Sequence, residues 1–287
     1  MWNQYFTPNK LSEALQLMER FQDQARIIAG GTDLVLDLSN KRYSGVEALV
    51  DISSIPELRR ISLENELVTI GSAVTLTEIL RSDLLRSRAG VLVDAVRLIA
   101  GPQIRNIATI GGNVVNASPA ADTIPPLLVL DSRVSIISSG HKFREMSLSE
   151  FLIGNRQVDI RAGEIVTAFH FPLPDPAARF YFRKVQPRRS MAIAMLNLAI
   201  MLKVKDDRIT NVKIAMGAVA PTVVRVNTVE SELKNLPVSL ADDPKLYTGV
   251  NQDIAPISDF RATRIYRINV AQNLLREAVL NLVEMSK

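Results

Sequence analysis

Apolar residues recur at helical spacing near both ends of the chain. In residues 11–21 (LSEALQLMERF) they occupy one helical face. In residues 265–285 an apolar stripe runs through Leu274, Leu275, Val279, Leu282 and Val283. Both segments are therefore predicted to be helices. Shorter helices are predicted at residues 34–38, 91–99 and 228–236.

Apolar runs of strand length lie between these helices. The runs at residues 25–29 and 49–53 and the alternating run at residues 67–76 predict strands. Thr77 is predicted to cap a helix over residues 78–85. Residues 109–116 are predicted to form a loop interrupted by glycines, and residues 127–138 the strands that follow it.

A proline-rich segment, PLPDP at residues 172–176, is the clearest break in the pattern and predicts a domain boundary. Beyond it, residues 179–185, 194–204 and 212–218 predict successive strands, with Asp206 and Asp207 in a turn. Successive strands joined by short turns form a meander, so this sheet is predicted to be antiparallel. The fold class is α+β, with at least two domains.

Composition adds the expectation of a globular protein. The chain has 287 residues, of which 47% are hydrophobic and 22% charged. It contains no uninterrupted apolar run of about 18 residues, the length that a membrane span needs. The opening residues, MWNQYFTPNKLSEAL, lack the pattern of an export signal, so a cytoplasmic location is expected.

Residue types also exclude several kinds of site. The chain has no cysteine, so it cannot by itself form a disulfide, a thiolate nucleophile, a thiolate zinc site or an iron-sulfur cluster. His141 and His170 lie far apart in the sequence, which disfavours a catalytic triad or a histidine metal site. No catalytic or metal-binding residue is predicted. The net charge of +4 comes without a basic stripe interleaved with aromatic residues, which disfavours nucleic-acid binding.

Two glycine-bearing segments carry candidate binding chemistry: RIIAGGTDL at residues 26–34 and ATIGGNVVNASPAAD at residues 108–122. Glycine permits positive φ and leaves no Cβ, so consecutive backbone N–H groups can face an anion. Hydroxyls at Thr32, Thr109 and Ser118 could add donors to phosphate oxygens. The residues alone leave two interpretations open, a pyrophosphate gripped from two sides or a pair of plain tight turns. Neither segment is a GxGxxG or a P-loop motif.

Six motifs, in order along nearly the whole chain, resemble one protein family. The motifs are AGGTDL (29–34), IAGPQIRNIATIGGNVVNASPAAD (99–122), GEIVTAFHFP (163–172), FRKV (182–185), AMGAVAPTVVR (215–225) and FRATRIYR (260–267). They are similar to the FAD-binding (medium) subunit of the xanthine dehydrogenase and carbon monoxide dehydrogenase family of molybdenum hydroxylases. The likeness is strongest to bacterial xanthine dehydrogenase flavin subunits.

The resemblance implies a division into three parts. Residues 1–52 and 53–175 would form the two subdomains of a PCMH-type FAD-binding domain. Residues 176–287 would form a C-terminal domain with a small antiparallel sheet and helices. The flavin would lie between the two amino-terminal subdomains and the third domain.

The resemblance also implies a set of cofactor-binding residues. Residues 26–34 would wrap the pyrophosphate through backbone N–H groups, Ile110 would lie near the isoalloxazine, and Asp122 would accept hydrogen bonds from FAD. Ile165 would make an apolar contact, and Lys184 would place a cation near the pyrimidine edge of the flavin, where it stabilises the anionic reduced form. Without the resemblance, Ile110 and Ile165 would be core residues, Lys184 would be solvated, and Asp122 would be a turn or cap residue. The full set is Arg26, Ile27, Ile28, Ala29, Gly30, Gly31, Thr32, Asp33, Leu34, Thr109, Ile110, Gly111, Gly112, Asn113, Asn116, Ser118, Ala121, Asp122, Ile165 and Lys184.

By the same resemblance, this chain would move electrons and carry out no substrate chemistry of its own. A large subunit with molybdopterin would hydroxylate the substrate, and two-iron clusters on a small subunit would pass electrons to the FAD. NAD, oxygen or another acceptor would then take them. The complex would be a dimer of heterotrimers. Two alternatives are a stand-alone FAD-dependent oxidase or dehydrogenase and a flavin-free scaffold subunit.

One loop departs from the family pattern. The family often has an acidic residue before an Ile-Ala pair, whereas this chain has Ala192 there, in QPRRSMAIA. The loop at residues 186–190 is therefore purely basic, through Arg188 and Arg189. A more positive field favours anionic flavin and changes how a dinucleotide docks. We expect replacement of both arginines by alanine to shift the flavin potential or the acceptor rates.

Overall fold

The computed structural model describes residues 2–188 and 191–285. Its strands are β1 (Gln4–Phe6), β2 (Ala25–Ile28), β3 (Ala48–Asp51), β4 (Ile61–Glu64), β5 (Leu67–Gly71), β6 (Arg133–Ser138), β7 (Lys142–Ser147), β8 (Leu152–Gly154), β9 (Gln157–Val158), β10 (Ile165–Pro172), β11 (Arg179–Val185), β12 (Leu196–Lys205), β13 (Arg208–Gly217) and β14 (Val224–Arg225).

Six of the described helices, α3 to α8, follow one another between β5 and β6, and the longest helix follows the last strand. They are α1 (Leu11–Phe21), α2 (Leu34–Ser39), α3 (Leu76–Arg81), α4 (Asp83–Arg88), α5 (Gly90–Arg97), α6 (Pro102–Arg105), α7 (Ile110–Val115), α8 (Ile124–Val129), α9 (Leu148–Phe151), α10 (Asn227–Leu233), α11 (Lys245–Thr248) and α12 (Arg264–Glu284). Short 3-10 turns occupy Gln22–Gln24, Pro56–Leu58, Ser139–His141, Val238–Leu240 and Gly249–Gln252.

The chain forms two compact units, each assembled from separate stretches of sequence. Unit 1 combines the stretch up to Leu84 with residues 100–116 and 132–173. Unit 2 combines residues 85–99 and 117–131 with the stretch from Pro174 onward. The α+β class predicted from the sequence is confirmed. The family boundaries expected after residues 52 and 175 stay a prediction.

Unit 1 contains a small parallel sheet and a larger antiparallel one. The parallel sheet has the order β1-β3-β2, and its central strand has Ala48, Leu49 and Val50 fully buried. Helix α1, predicted with the same bounds, packs Ala14 and Leu15 into the core beside this sheet. A buried apolar strand between two parallel neighbours is the usual form of such a sheet.

The antiparallel sheet of unit 1 has the order β4-β5-β10-β6-β7. Its central strand, β10, carries His170 between two hydroxyls: Nδ1 lies 2.9 Å from Thr69 Oγ1 and Nε2 lies 2.7 Å from Ser135 Oγ. Burial lowers the pKa of His170, and the charge of Glu145 opposes this shift. His170 is therefore a strand residue, as expected, while the side chain of His141 lies outside the described residues.

Unit 2 is built on an antiparallel sheet with the order β11-β12-β13-β14. The predicted meander is confirmed, with the turn at Asp206 and Asp207 between β12 and β13. Helix α12 covers the sheet with the apolar stripe read from the sequence, whose members are all buried: Leu274, Leu275, Val279, Leu282 and Val283. The residues of the sheet that contact α12 and the apolar stripe of α12 belong to one hydrophobic core.

The prediction of a cap at Thr77 was wrong. Strand β5 ends at Gly71, and helix α3 begins at Leu76 with Thr75 as its cap. The Glu78 N–H donates to Thr75 Oγ1 at 3.2 Å, and Glu78 Oε2 accepts the Thr75 N–H at 2.7 Å. This reciprocal capping box satisfies two backbone donors at once, which a helix starting at Glu78 would not do.

Two further element predictions were wrong in the middle of the chain. Residues 109–116, predicted as a loop, form α7, whose first turn contains the glycine pair. Thr109 caps it, since its Oγ1 accepts the Gly112 N–H at 3.0 Å. Residues 127–138, predicted as strands, divide into the end of α8 and strand β6. Short apolar runs do not distinguish a buried helix from a buried strand, and proline is tolerated in a first helical turn.

None of the helices among residues 2–188 and 191–285 has the length and apolar character required to cross a bilayer.

Candidate functional site

A cavity of about 590 Å³ lies within unit 1. Its walls come from the segment after β2, the segment around α7, the start of β10 and the β8–β9 hairpin. Both glycine-bearing segments therefore face one space, as the sequence suggested. The predicted site residues that line it are Arg26, Ile27, Ile28, Ala29, Gly30, Gly31, Thr32, Asp33, Leu34, Thr109, Gly111, Gly112, Asn113, Asn116 and Ile165.

The remaining predicted residues lie elsewhere. Ile110 is fully buried and is not among the residues that line the cavity, and its N–H donates to Val74 O at 3.0 Å. Ser118, Ala121, Asp122 and Lys184 belong to unit 2. Ile165 fits both interpretations given for it, as a cofactor contact and as a core residue, because it lines the cavity and is also a fully buried member of the core.

The first glycine segment forms the sharp turn between strand β2 and helix α2. Gly31 has φ of +66°, a left-handed conformation that favours glycine, and its carbonyl accepts the Val35 N–H at 3.0 Å. Gly30 abuts the start of the second segment so closely that an added Cβ would lie 2.1 Å from Ile107 O and 2.8 Å from Ala108 Cα. The absence of a side chain at Gly30 thus lets the two segments touch.

The second segment places a helix start at the cavity. Gly111 donates its N–H to Ser72 O at 2.9 Å, which fixes α7 against the end of β5. Ser72 is 3% exposed and lines the cavity, and its Oγ has no hydrogen-bond partner among the described residues. A buried hydroxyl without a partner carries a desolvation cost that a ligand can remove.

A polar network closes one side of the cavity. Arg156, at the tip of the β8–β9 hairpin, donates to Asn116 Oδ1 at 2.9 Å and to Asp37 Oδ2 at 3.3 Å. Its guanidinium also lies 3.8 Å from Asp33 Oδ1. Burial and the charge of Asp37 raise the pKa of Asp33, and a hydrogen bond from Asn116 opposes the shift. Arg42 approaches Asp37 separately, at 3.0 Å.

Glu164 lines the cavity, but its carboxylate is already occupied. Arg144 donates to both of its oxygens, at 2.8 and 2.7 Å, and the Arg161 N–H donates to Oε2 at 2.7 Å. Although burial raises the pKa of Glu164, these hydrogen bonds hold it below its usual value. Glu164 therefore stays a paired carboxylate and not a general base.

In unit 2, Asp122 and Lys184 form a buried ion pair. Lys184 Nζ donates to Asp122 Oδ2 at 2.6 Å and to Leu98 O at 3.1 Å, and Asn197 Nδ2 donates to Asp122 Oδ1 at 2.8 Å. Burial raises the pKa of Asp122, while Lys184 and Asn197 oppose the shift. Lys184 is only 7% exposed, so its alternative interpretation as a solvated residue is wrong.

Sequence reasoning missed Ser72, Arg156 and Asn197. Asn197 is fully buried on β12 beside the ion pair, inside an apolar strand pattern where a lone amide is itself an anomaly. Ser72 follows a strand-ending glycine, a weak signal. Arg156 could be suspected only as a turn residue after Gly154, since its partners come from distant parts of the sequence.

The basic loop at residues 186–190 is described in part. Arg188 donates to Met191 O at 2.6 Å. Arg189 and Ser190 lie outside the described residues, so the predicted role of this loop stays a prediction.

Comparison with known proteins gives two family matches that together span most of the chain. Residues 2–174 match the FAD binding domain in molybdopterin dehydrogenase, and residues 181–282 match the CO dehydrogenase flavoprotein C-terminal domain.

Individual relatives agree with these matches. The chain is 33% identical over 283 residues to the xanthine dehydrogenase FAD-binding subunit of Escherichia coli O157:H7, covering 96% of this chain and 94% of the relative. It is 25% identical over 276 residues to the carbon monoxide dehydrogenase medium chain of Hydrogenophaga pseudoflava, covering 96% and 95%. A solved chain of the reconstituted CO dehydrogenase from Oligotropha carboxidovorans superposes with a TM-score of 0.92 at 26% identity, covering 99% and 98%.

Proposed function

The chain belongs to the family of FAD-binding medium subunits of xanthine dehydrogenase and CO dehydrogenase type molybdenum hydroxylases, and from this premise we propose that the unit 1 cavity holds its FAD. The subunit is an oxidoreductase component whose role is electron transfer. The pyrophosphate end of the cofactor would face the two glycine segments.

The observation that carries the proposal is the meeting of both segments in one cavity. Residues 26–34 and the start of α7 line the same space of about 590 Å³, a volume typical of a cofactor pocket. The free hydroxyl of Ser72 is a donor that a flavin or phosphate oxygen would satisfy. The lining residues therefore fit FAD.

FAD, when bound, would accept electrons singly and release them as a pair. The chain's own residues bind and orient the cofactor. Backbone N–H groups at Gly31 and Thr32 would face the pyrophosphate, and Thr109 holds the start of α7 in place. Buried Ile28 and Ile165 would exclude water from the cofactor. The roles expected for Ile110, Ser118, Ala121, Asp122 and Lys184 stay predictions.

In this family the medium subunit works with an iron-sulfur small subunit and a molybdenum-containing large subunit. We propose that this chain does the same, in a dimer of heterotrimers in the cytoplasm, and that NAD is a candidate final acceptor. The absence of cysteine supports the division of labour, because the chain cannot ligate an iron-sulfur cluster itself. Native co-purification tests the assembly, and stopped-flow reoxidation with NAD or oxygen tests the acceptor.

Titration of the cofactor-free chain with FAD tests the site. Asn113→Asp adds a negative charge to the cavity wall at constant size, and Asn211→Asp makes the same change at an exposed position of β13. We expect the first to weaken FAD binding by about tenfold, since one uncompensated charge near a phosphate costs about 1.4 kcal/mol or more. The second should leave the affinity unchanged. Equal affinities would place FAD elsewhere.

The same preparation separates the alternatives. A chain that binds no FAD would indicate a flavin-free scaffold. A yellow chain that oxidises an organic substrate by itself would indicate a stand-alone oxidase or dehydrogenase. A yellow chain that is reduced only through an iron-sulfur partner supports the proposal.

A further inference from the structure

Arg156 connects the two glycine segments from a third element. One edge of its guanidinium donates to Asn116, which follows α7, and the other to Asp37 on α2. Asn116 also hydrogen-bonds Asp33, the residue before α2. The contacts therefore link the segment that follows β2 with the segment that ends α7.

The positive charge of Arg156 offsets a local excess of carboxylates in the cavity wall. Among the described residues that line the cavity, carboxylates (Asp23, Asp33, Asp37, Glu164) outnumber guanidiniums (Arg26, Arg156, Arg161). Glu164 is neutralised by Arg144, whereas Asp33 lies on the first glycine segment and Asp37 on α2, which follows it. A pyrophosphate beside Asp33 and Asp37 would be repelled unless cations balance these two carboxylates.

The other two lining cations are engaged elsewhere. Arg26 donates through Nη1 to Asp23 O and Ala25 O and lies over the Tyr43 ring at 5.0 Å. The Arg161 backbone and charge act on Glu164. Among the described residues that line the cavity, Arg156 is thus the cation that pairs with Asp33 and Asp37.

We propose that Arg156 is a positioning residue for the cofactor: it braces the two glycine segments at a fixed separation and neutralises Asp33 and Asp37, so that the cavity accepts a pyrophosphate. The inference rests on the proposed location of FAD in this cavity. The planar guanidinium of Arg156 suits this bridging role, because lysine cannot bridge two acceptors with the same rigid geometry.

Arg42 provides a matched control. It pairs with the same Asp37 at 3.0 Å, but its side chain is half exposed and is not among the residues that line the cavity. Arg42→Ala therefore removes a cation from Asp37 without removing the link to Asn116.

The experiment is fluorescence titration of the cofactor-free full chain with FAD, with the melting temperature of each variant as a check on folding. We expect Arg156→Ala to weaken FAD binding by about tenfold, consistent with loss of a charge-assisted link, and Arg42→Ala by less than about twofold. Arg156→Lys should fall between the wild type and Arg156→Ala, since the charge is kept and the planar guanidinium is lost. Equal losses for Arg156→Ala and Arg42→Ala would overturn the proposal.

Two further outcomes are distinguishable. If Arg156→Ala does not fold, Arg156→Lys decides: weaker FAD binding at an unchanged melting temperature supports the brace, and wild-type affinity overturns it. If the wild-type chain binds no FAD, the proposed function fails. If the wild type binds FAD and Arg156 variants bind it equally well, only the role of Arg156 fails.

Discussion

At the scale of single residues, the buried pair of Lys184 and Asp122 makes unit 2 sensitive to substitution. We predict that Lys184→Met lowers the free energy of unfolding by about 3–5 kcal/mol, because it leaves a buried carboxylate without its partner. Lys203→Met, on the neighbouring strand, removes an ion pair with exposed Asp175 and should change stability little. Urea unfolding of both variants measures the difference, and similar losses would contradict the prediction.

His170 predicts a dependence of stability on pH. Because burial lowers its pKa in the folded state, the unfolded chain binds the proton first as the pH falls. Its stabilising contribution is thus complete above about pH 6.5, the ordinary histidine pKa, and declines as the pH falls toward the folded value. We expect the urea midpoints measured at about pH 7.5 and about pH 5.5 to differ less in His170→Gln than in the wild type. An unchanged difference would show that carboxylates alone cause the acid sensitivity.

Residue types were predictable from sequence, but residue partners were not. Gly31 and Thr109 could be proposed as ligand-binding residues because glycine pairs and nearby hydroxyls are local signals, whereas Arg26 was proposed only from the family resemblance; all three line the cavity. The pairing of Lys184 with Asp122 depends on where β11 lies relative to the stretch before α8, which no local pattern encodes. The same holds for Arg156 and Asn116.

At the scale of elements, the start of α3 offers a direct comparison of two threonines. We predict that Thr75→Ala destabilises the chain by about 1 kcal/mol, since it removes the capping-box acceptor of the Glu78 N–H. Thr77→Ala removes only an exposed hydrogen bond to Asn106 and should cost less than about 0.5 kcal/mol. The comparison is made by urea unfolding, and a larger effect at Thr77 would contradict the assigned cap.

Element type was predicted well where periodicity was long and poorly where it was short. Helices α1 and α12 span several turns, so their apolar faces identified them. Helices α7 and α8 have six residues each, with glycines or prolines in the first turn. At that length tertiary packing decides between helix, strand and loop, because an isolated turn is barely stable.

At the scale of the whole molecule, the chain should carry flavin and no metal of its own. We predict that the purified chain binds FAD near one equivalent per chain but contains no iron, because it has no cysteine to hold a cluster. Visible absorption and metal analysis of the chain, prepared alone and with its partner subunits, provide the measurement. Stoichiometric iron in the isolated chain would contradict it.

The interleaving of the two units has a consequence for how such subunits recombine in evolution. The two family matches divide the chain once, between residues 174 and 181. Unit 2, by contrast, also contains residues 85–99 and 117–131, which lie before that division. A crossover at that junction would join Lys184 from one parent to Asp122 and Leu98 from the other. The two parts of the chain are thus not freely exchangeable between relatives, and a viable hybrid must inherit Lys184 together with a matching Asp122.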